Sequence, residues 1–382
     1  MKTVLISGAS IAGPALAYWL HRRGFTPTVV ERAPALRAGG QAIDVRGVAL
    51  DVVDRMGIGA QVRAARTRMR GMSMLDGAGN EVHRSTESTF SSGRLDSEDV
   101  ELLREDLTAL LYELTRADVE YVFGDSVTAL TEGPDGIRAD FEHAPTRTFD
   151  LVVGADGLHS RTRALVFGPE ERFIHHLGTH LAIFSAENFL GLDNWQMWLR
   201  EGSAGYGIYP VRDNSELRVT AGFEAPPLAG GYDYRDTERQ KALVADALAG
   251  LGWETPRLLK AMHAARDFYF DSMAQIRMDR WSKGRVTLLG DAGYCASPLS
   301  GQGTSLALVG AYVLAEELGR GGDAVPGGGL GRGGGHLAAY GRAEDRMRPF
   351  VLLNQALVLD NPGGPAAQET VDLAKSAIDL DA

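Results

Sequence analysis

Thr3 to Ser7 (TVLIS) is a short apolar run rich in β-branched residues, the pattern of a strand buried on both faces of a parallel sheet. Gly8 to Gly13 (GASIAG) breaks that run. Helical spacing then extends from Pro14 to Arg23, with Gly24 placed as a C-cap, and a second strand from Thr26 to Val30 ends in Glu31. Two later apolar runs also stop at glycine and aspartate. Asp150 to Ser160 (DLVVGADGLHS) predicts a strand and a tight turn, and Gly284 to Asp291 (GRVTLLGD) predicts another. The second of these continues as AGYCASPLSGQG into a helical run from Thr304 to Leu318. From Val166 to about Ile276 the pattern changes. Its first half has no long helical period, and Trp195, Trp198, Tyr206, Tyr209 and Phe223 are spaced between turn signals such as Arg212-Asp213-Asn214, which predicts antiparallel strands. Residues 319–335 are dominated by glycine and read as a linker. Leu337 to Leu359 returns to helical spacing, and a short helix is expected between Ala366 and Leu380.

Composition narrows the function. At 382 residues, with 44% apolar and 23% charged positions, the chain has ordinary globular usage and the length of two domains. A net charge of -11 argues against nucleic acid or an anionic membrane as partner. The single cysteine, Cys295, excludes an internal disulfide and a Cys-rich zinc site, and fits a reducing, cytoplasmic setting. No run of 18 apolar residues predicts a membrane span. The opening run is read as a strand rather than a signal peptide, because Gly8, Ser10, Gly13 and Pro14 suit a turn and helix start. His175, His176 and His180 cluster without the carboxylate or cysteine spacing of a metal site, and no Ser-His-Asp set stands out.

Strand, glycine turn, helix, strand and acid form the dinucleotide-binding order. In it the turn's N–H groups and the helix N-terminus face a pyrophosphate, and the acid accepts from ribose hydroxyls. Ser10 stands where the middle glycine is usual; it is small enough for close backbone approach, and its hydroxyl can donate to phosphate. An acid at a strand end, here Asp291, can accept from ribityl hydroxyls. The small-residue loop Pro298–Gly303 feeds a helix N-terminus whose positive end suits an anionic reduced flavin.

In this order the three motifs resemble the group A flavin-dependent aromatic hydroxylases, the family of para-hydroxybenzoate hydroxylase and of the tetracycline-inactivating flavin monooxygenases. The resemblance runs from Val4 to about Gln355. It implies an α/β fold: a Rossmann-like FAD-binding domain (1–66, 93–164 and 277–318), a mixed α/β substrate domain (67–92 and 165–276) and a C-terminal bracing helix within 336–382. It places Gly8, Ser10, Ile11, Ala12 and Gly13 on the pyrophosphate, and Glu31, with Arg32 beside it, at the adenosine ribose. Leu36 to Arg46 resembles the loop over the flavin, making Arg37 a candidate for the nicotinamide coenzyme and Asp44 and Arg46 candidates for FAD. Val100 to Leu107 resembles the family's Arg-x-x-Leu helix and puts Arg104 on FAD; the alternative is an exposed helix charge beside Glu101 and Glu105. Asp156 and Gly157 match the motif serving FAD and NAD(P)H, Gly290 and Asp291 the ribityl site, and Pro298, Gly301, Gly303 and Thr304 the ring loop. Tyr294, Ser305 and Gly310 depart from the His, Asn and Asp common among relatives.

The same resemblance implies FAD as cofactor, with NAD(P)H and O2 as co-substrates. An aromatic or polyketide-like molecule would be hydroxylated through a flavin C4a-hydroperoxide on a dry aromatic sheet bearing Trp195, Trp198, Tyr206, Tyr209 and Phe223. The flavin carries the chemistry, so no catalytic side chain is expected. The rival readings are a flavoprotein that binds a ligand without turnover, a reductase, and a flavin-dependent halogenase. Against the halogenase, Trp195-Gln196-Met197-Trp198 lacks the Trp-x-Trp-x-Ile-Pro spacing.

Overall fold

In the computed structural model, residues 1–37, 39–226, 236–320, 335–359 and 368–382 are described. Most of the predicted linker and the start of the last predicted segment lie outside these residues. Two sheets organise the chain. The first has six strands in the order Ser282–Lys283, Val286–Leu288, Leu151–Gly154, Thr3–Ser7, Thr26–Glu31, Glu120–Phe123. All its pairings are parallel except that of Ser282–Lys283 with Val286–Leu288. Its three motif strands are therefore neighbours, and their C-terminal ends open on one edge. That is where parallel α/β sheets bind ligands.

Helix Ala12–Arg22 packs on this sheet and against the apolar helix Gly303–Arg320, which in turn packs on the long helix Gly335–Leu359. Alanine and leucine on the first two helices, with Val4, Ile6 and Val153 of the strands, form one buried cluster that sets the turn-bearing ends rigidly. Glu317 is buried between the last two helices and takes hydrogen bonds from Arg342 (2.6 Å), Arg346 (2.9 Å) and Arg320 (3.1 Å).

The second sheet has seven strands in the order Tyr269–Ile276, Ile174–Glu187, Glu216–Glu224, Ala204–Val211, Trp195–Glu201, Gly71–Leu75, Glu81–Ser85. Trp195–Glu201 and Gly71–Leu75 run parallel; the other pairings are antiparallel. Helices Thr237–Leu248 and Thr255–Ala264 contribute to its core with Phe184, Ile208, Leu217 and Met262. The alternation of strand side chains leaves the other face free to meet the parallel-sheet layer.

Candidate functional site

A single cleft of about 1820 Å³ runs between the two sheets. That is about twice the upper end for a drug-sized ligand, room for a dinucleotide and a second molecule. Among the residues named above, it is lined by Gly8, Ser10, Ile11, Ala12, Glu31, Arg32, Arg37, Asp44, Arg46, Arg104, Asp156, Gly157, Asp291, Pro298, Gly301, Gly303 and Thr304, and by Trp198, Tyr206, Tyr209 and Phe223. Gly13 and Gly290 lie just behind its wall.

One end is made of backbone. Gly8 has φ +110°, and a Cβ there would stand 2.4 Å from the Ala155 carbonyl oxygen. A Cβ on Gly13 would stand 1.9 Å from the Gly8 carbonyl oxygen, so the helix can seat on the strand only without one. Glu31 completes the turn: its Oε2 accepts from the Ala9 N–H and its Oε1 from the Ala33 N–H, both at 2.9 Å. Arg32 and Arg37 are exposed at the cleft wall.

The second motif is held from within. Asp156 accepts from Ser160 Oγ, from the Thr162 N–H (2.9 Å) and hydroxyl (3.0 Å), and from Ser7 Oγ (3.4 Å). Ser160 caps the helix Arg161–Phe167 by accepting from the Arg163 N–H. The Asp156 side chain thus fixes the turn, and the Gly157 backbone, at φ +82°, faces the cleft.

Beside it stand residues to which sequence reasoning gave no role. His159 bridges Glu170 Oε1 (2.8 Å) and Asp271 Oδ1 (3.1 Å), joining the parallel layer to the last strand of the second sheet. Burial alone would lower its pKa; hydrogen bonds to Asp271 and Glu170 outweigh that and push it up to about 10. The fully buried Arg163 donates to Glu170, to the Leu158 carbonyl and to the Ala292 carbonyl, tying the second motif to the third. Only the doublet Leu158-His159 inside the motif signalled this; Asp271, 112 residues on, carried no signal of its own.

The third motif turns at Gly290 (φ +63°), which packs against Ala12 and Ala307. Asp291 is exposed to the cleft. Desolvation pushes its carboxyl above the usual carboxylate range, against a hydrogen bond with the Cys295 thiol. Pro298, Gly301 and Gly303 then lead into helix Gly303–Arg320, whose first turn bears Thr304 and Ser305. The departures at Tyr294 and Gly310 are coupled. A Cβ on residue 310 would stand 2.2 Å from the Tyr294 hydroxyl, so the tyrosine occupies the space a side chain there would need. Ser305 Oγ accepts from the Arg46 N–H at 3.1 Å.

Val100–Leu103 is a strand rather than the start of a helix, because it pairs with Ala42–Val45; the helix begins at Arg104. The Arg104 guanidinium donates to the carbonyls of Arg37 (3.1 Å) and Gly39 (2.9 Å), and Glu105 accepts from the Gly39 N–H (2.6 Å). Arg104 is therefore a clamp on the loop beside the cleft, not a free helix charge. Burial, with Arg37 nearby, lowers its pKa to about 10. Asp44 and Arg46 form an ion pair of 2.8 Å.

On the second sheet, Trp198 lies flat against Gly207, meets Phe90 edge-on at 5.3 Å and donates its indole N–H to Gln196. Tyr209 accepts from the Ala42 N–H. Tyr206 and Phe223 belong to strands at the cleft, but their side chains turn to the other face: Tyr206, an odd distance from Tyr209, pairs with Thr255, and Phe223 shares the core beneath helix Thr255–Ala264. Trp195 is not brought to the cleft. Its indole N–H donates to Ser73 and Arg84 covers its ring at 4.0 Å, because on a pleated strand its distance to Trp198 is odd and the two cannot share a face. His180, from the histidine cluster, packs in a three-ring cluster with Phe223 and Phe270. No helix among the described residues is long and apolar enough to cross a membrane.

A glycine turn, two acids at strand ends and a small-residue loop at a helix N-terminus, all on the C-terminal edge of a parallel sheet, have the arrangement of a dinucleotide-binding fold. Comparison with known proteins gives its family: residues 1–322 match the model of the FAD binding domain. The chain belongs to this family of FAD-binding, para-hydroxybenzoate hydroxylase-like monooxygenases. It is 54% identical over 371 residues to an uncharacterized protein of Mycobacterium tuberculosis, covering 97% of this chain and 96% of that one. It is 38% identical over 353 residues to a flavin-dependent monooxygenase of Legionella longbeachae, covering 92% and 86%. Among solved structures, the tetracycline destructase Tet(55) superposes with a TM-score of 0.84 at 36% identity, over 100% of this chain and 98% of that one.

Proposed function

We propose that the protein uses NAD(P)H and O2 to hydroxylate a planar aromatic or polyketide-like small molecule. The observation that carries this reading is the continuity of the cleft: it passes from the glycine turn, past Asp291, to the aromatic wall of Trp198 and Tyr209. Gly8 to Gly13 would hold the FAD pyrophosphate, Glu31 the adenosine ribose and Asp291 the ribityl chain. Bound FAD supplies the chemistry, taking two electrons from NAD(P)H and passing one oxygen atom of O2 to the substrate.

The protein's part is position and dryness. The fit is supported by two cleft-lining residues with buried polar atoms that have no partner among the described residues, Asp44 Oδ1 and Arg46 Nε. Trp198, fixed by Gln196 and backed by Gly207, offers a flat surface to a planar ring. The loop clamped by Arg104 and Glu105 lies beside the glycine turn and Glu31. On this reading the parallel sheet and its helices (1–66, 93–164 and 277–318) carry FAD, the second sheet (67–92 and 165–276) carries substrate, and the enzyme works in the cytoplasm.

The test is NAD(P)H oxidation by the purified flavoprotein over an aromatic and polyketide panel that includes tetracyclines, with mass spectrometry of each product. A compound that accelerates oxidation and gains one oxygen atom is the expected result. Tight binding without oxygen gain across the panel would instead favour a ligand-binding flavoprotein.

A further inference from the structure

Arg46 lines the cleft next to the loop that leads into helix Gly303–Arg320. Its backbone N–H donates to Ser305 in the first turn of that helix, and its guanidinium lies against Gly301, where a Cβ would stand 3.4 Å from it. One Nη2–H group donates to Asp44 (2.8 Å) and also reaches the Ser91 carbonyl (3.5 Å). Nε, buried, has no hydrogen-bond partner among the described residues, and neither does Asp44 Oδ1. A buried donor left without an acceptor costs about 1–3 kcal/mol, which a ligand acceptor placed there would recover.

The surrounding acids offset its charge only in part. Burial pushes Asp44 up to about 7 and Glu101 above its usual range. Asp99 is occupied by Lys375 (2.9 Å) and the Gly47 N–H (3.0 Å), and Glu101 by Thr67. The cluster therefore keeps a positive guanidinium in a site shielded from water, where its field is strong.

We propose that Arg46 meets the pyrimidine edge of the flavin ring and stabilises the negative charge that edge gains on reduction, with Asp44 fixing the guanidinium in place. This rests on the cleft being the FAD site. The pyrimidine edge is the acceptor-rich part of the ring, and the helix N-terminus at Gly303–Thr304 marks where it would lie. Arg46 adds a side-chain cation to that dipole, in a chain that has Ser305 where relatives carry Asn.

The test uses FAD-loaded protein and sulfite, which adds to oxidised flavin and leaves the pyrimidine edge negatively charged. Arg46→Met is expected to weaken sulfite binding at least tenfold and to lower the flavin midpoint potential by about 30 mV for each tenfold loss of reduced-state stabilisation. Arg46→Lys retains the charge and should lose less. Asp44→Asn removes the opposing anion and should tighten sulfite binding. Unchanged sulfite affinity and potential in Arg46→Met, with FAD bound at one per chain, would overturn the proposal. If Arg46→Met does not hold FAD, the other two variants decide: shifts in opposite directions support the role, and none in either overturns it. If the unaltered protein itself binds no FAD, the reading of the cleft fails first, and that result is separate.

Discussion

The two ends of the cleft are built by different means. The glycine-turn end is backbone: Gly8 and Gly13 are in place because no Cβ fits, and a single carboxylate, Glu31, staples the turn. The rest of the cleft is lined by side chains. Arg46, Trp198, Tyr209 and His159 come from segments far apart in sequence and are held by Ser305, Gln196, Ala42 and Asp271 in turn. A backbone-built site depends on steric exclusion, which tolerates almost no change. A side-chain-built site depends on many partial contacts, each of which can be lost singly.

Mutations should therefore have graded effects along the cleft. Gly13→Ala forces a Cβ into the Gly8 carbonyl, and the expected cost is about 3 kcal/mol or more, with loss of FAD retention. Thermal unfolding and flavin content of the purified protein check it; a stable yellow Gly13→Ala protein would break the contrast. Asp291→Ala comes next. It should weaken FAD binding by about 2–3 kcal/mol, the worth of hydrogen bonds to a charged acceptor, while Asp213→Ala at an exposed turn leaves the dissociation constant unchanged.

His159→Gln probes the junction between the layers. Because the folded His159 pKa is raised to about 10, the histidine's contribution is complete below its ordinary value near 6.5 and disappears as pH rises through 10. The variant should be about 2 kcal/mol less stable at pH 6, and the two proteins should converge above pH 10 in denaturant titrations. A pH-independent gap would mean that His159 acts by packing alone. The smallest effect is expected at the aromatic wall. Trp198→Ala should raise the KM for an aromatic substrate by about tenfold, roughly 1.4 kcal/mol of stacking and burial, whereas Trp195→Ala should leave KM unchanged. Equal effects from the two would show that the sheet register does not select the contacting face.

Much of the first end was legible in the sequence. TVLIS, the glycine turn and the acid after the second strand appear where their pattern put them, because local sterics and short-range polarity specify a strand–turn–helix unit. Val100–Leu103 was harder to read. Its four residues, V-E-L-L, are too few to show a period and suit helix or strand equally, and pairing with Ala42–Val45 decided it. Arg104 was legible as a site residue but not as a clamp, since its partners are carbonyls in a loop 65 and 67 residues away.

Taken alone, the sequence determined the class of fold and the order of the three glycine-bearing motifs, because strand, turn and helix signals depend on neighbours a few residues apart. Only the tertiary structure decided that Trp198 and not Trp195 faces the cleft, that Tyr294 requires Gly310, and that His159 is clamped by Asp271 and Glu170. Each of these depends on which strand pairs with which and on the register of that pairing. A shift of one residue exchanges the two faces of a strand, and residues a hundred positions apart become partners only once the sheets are in place.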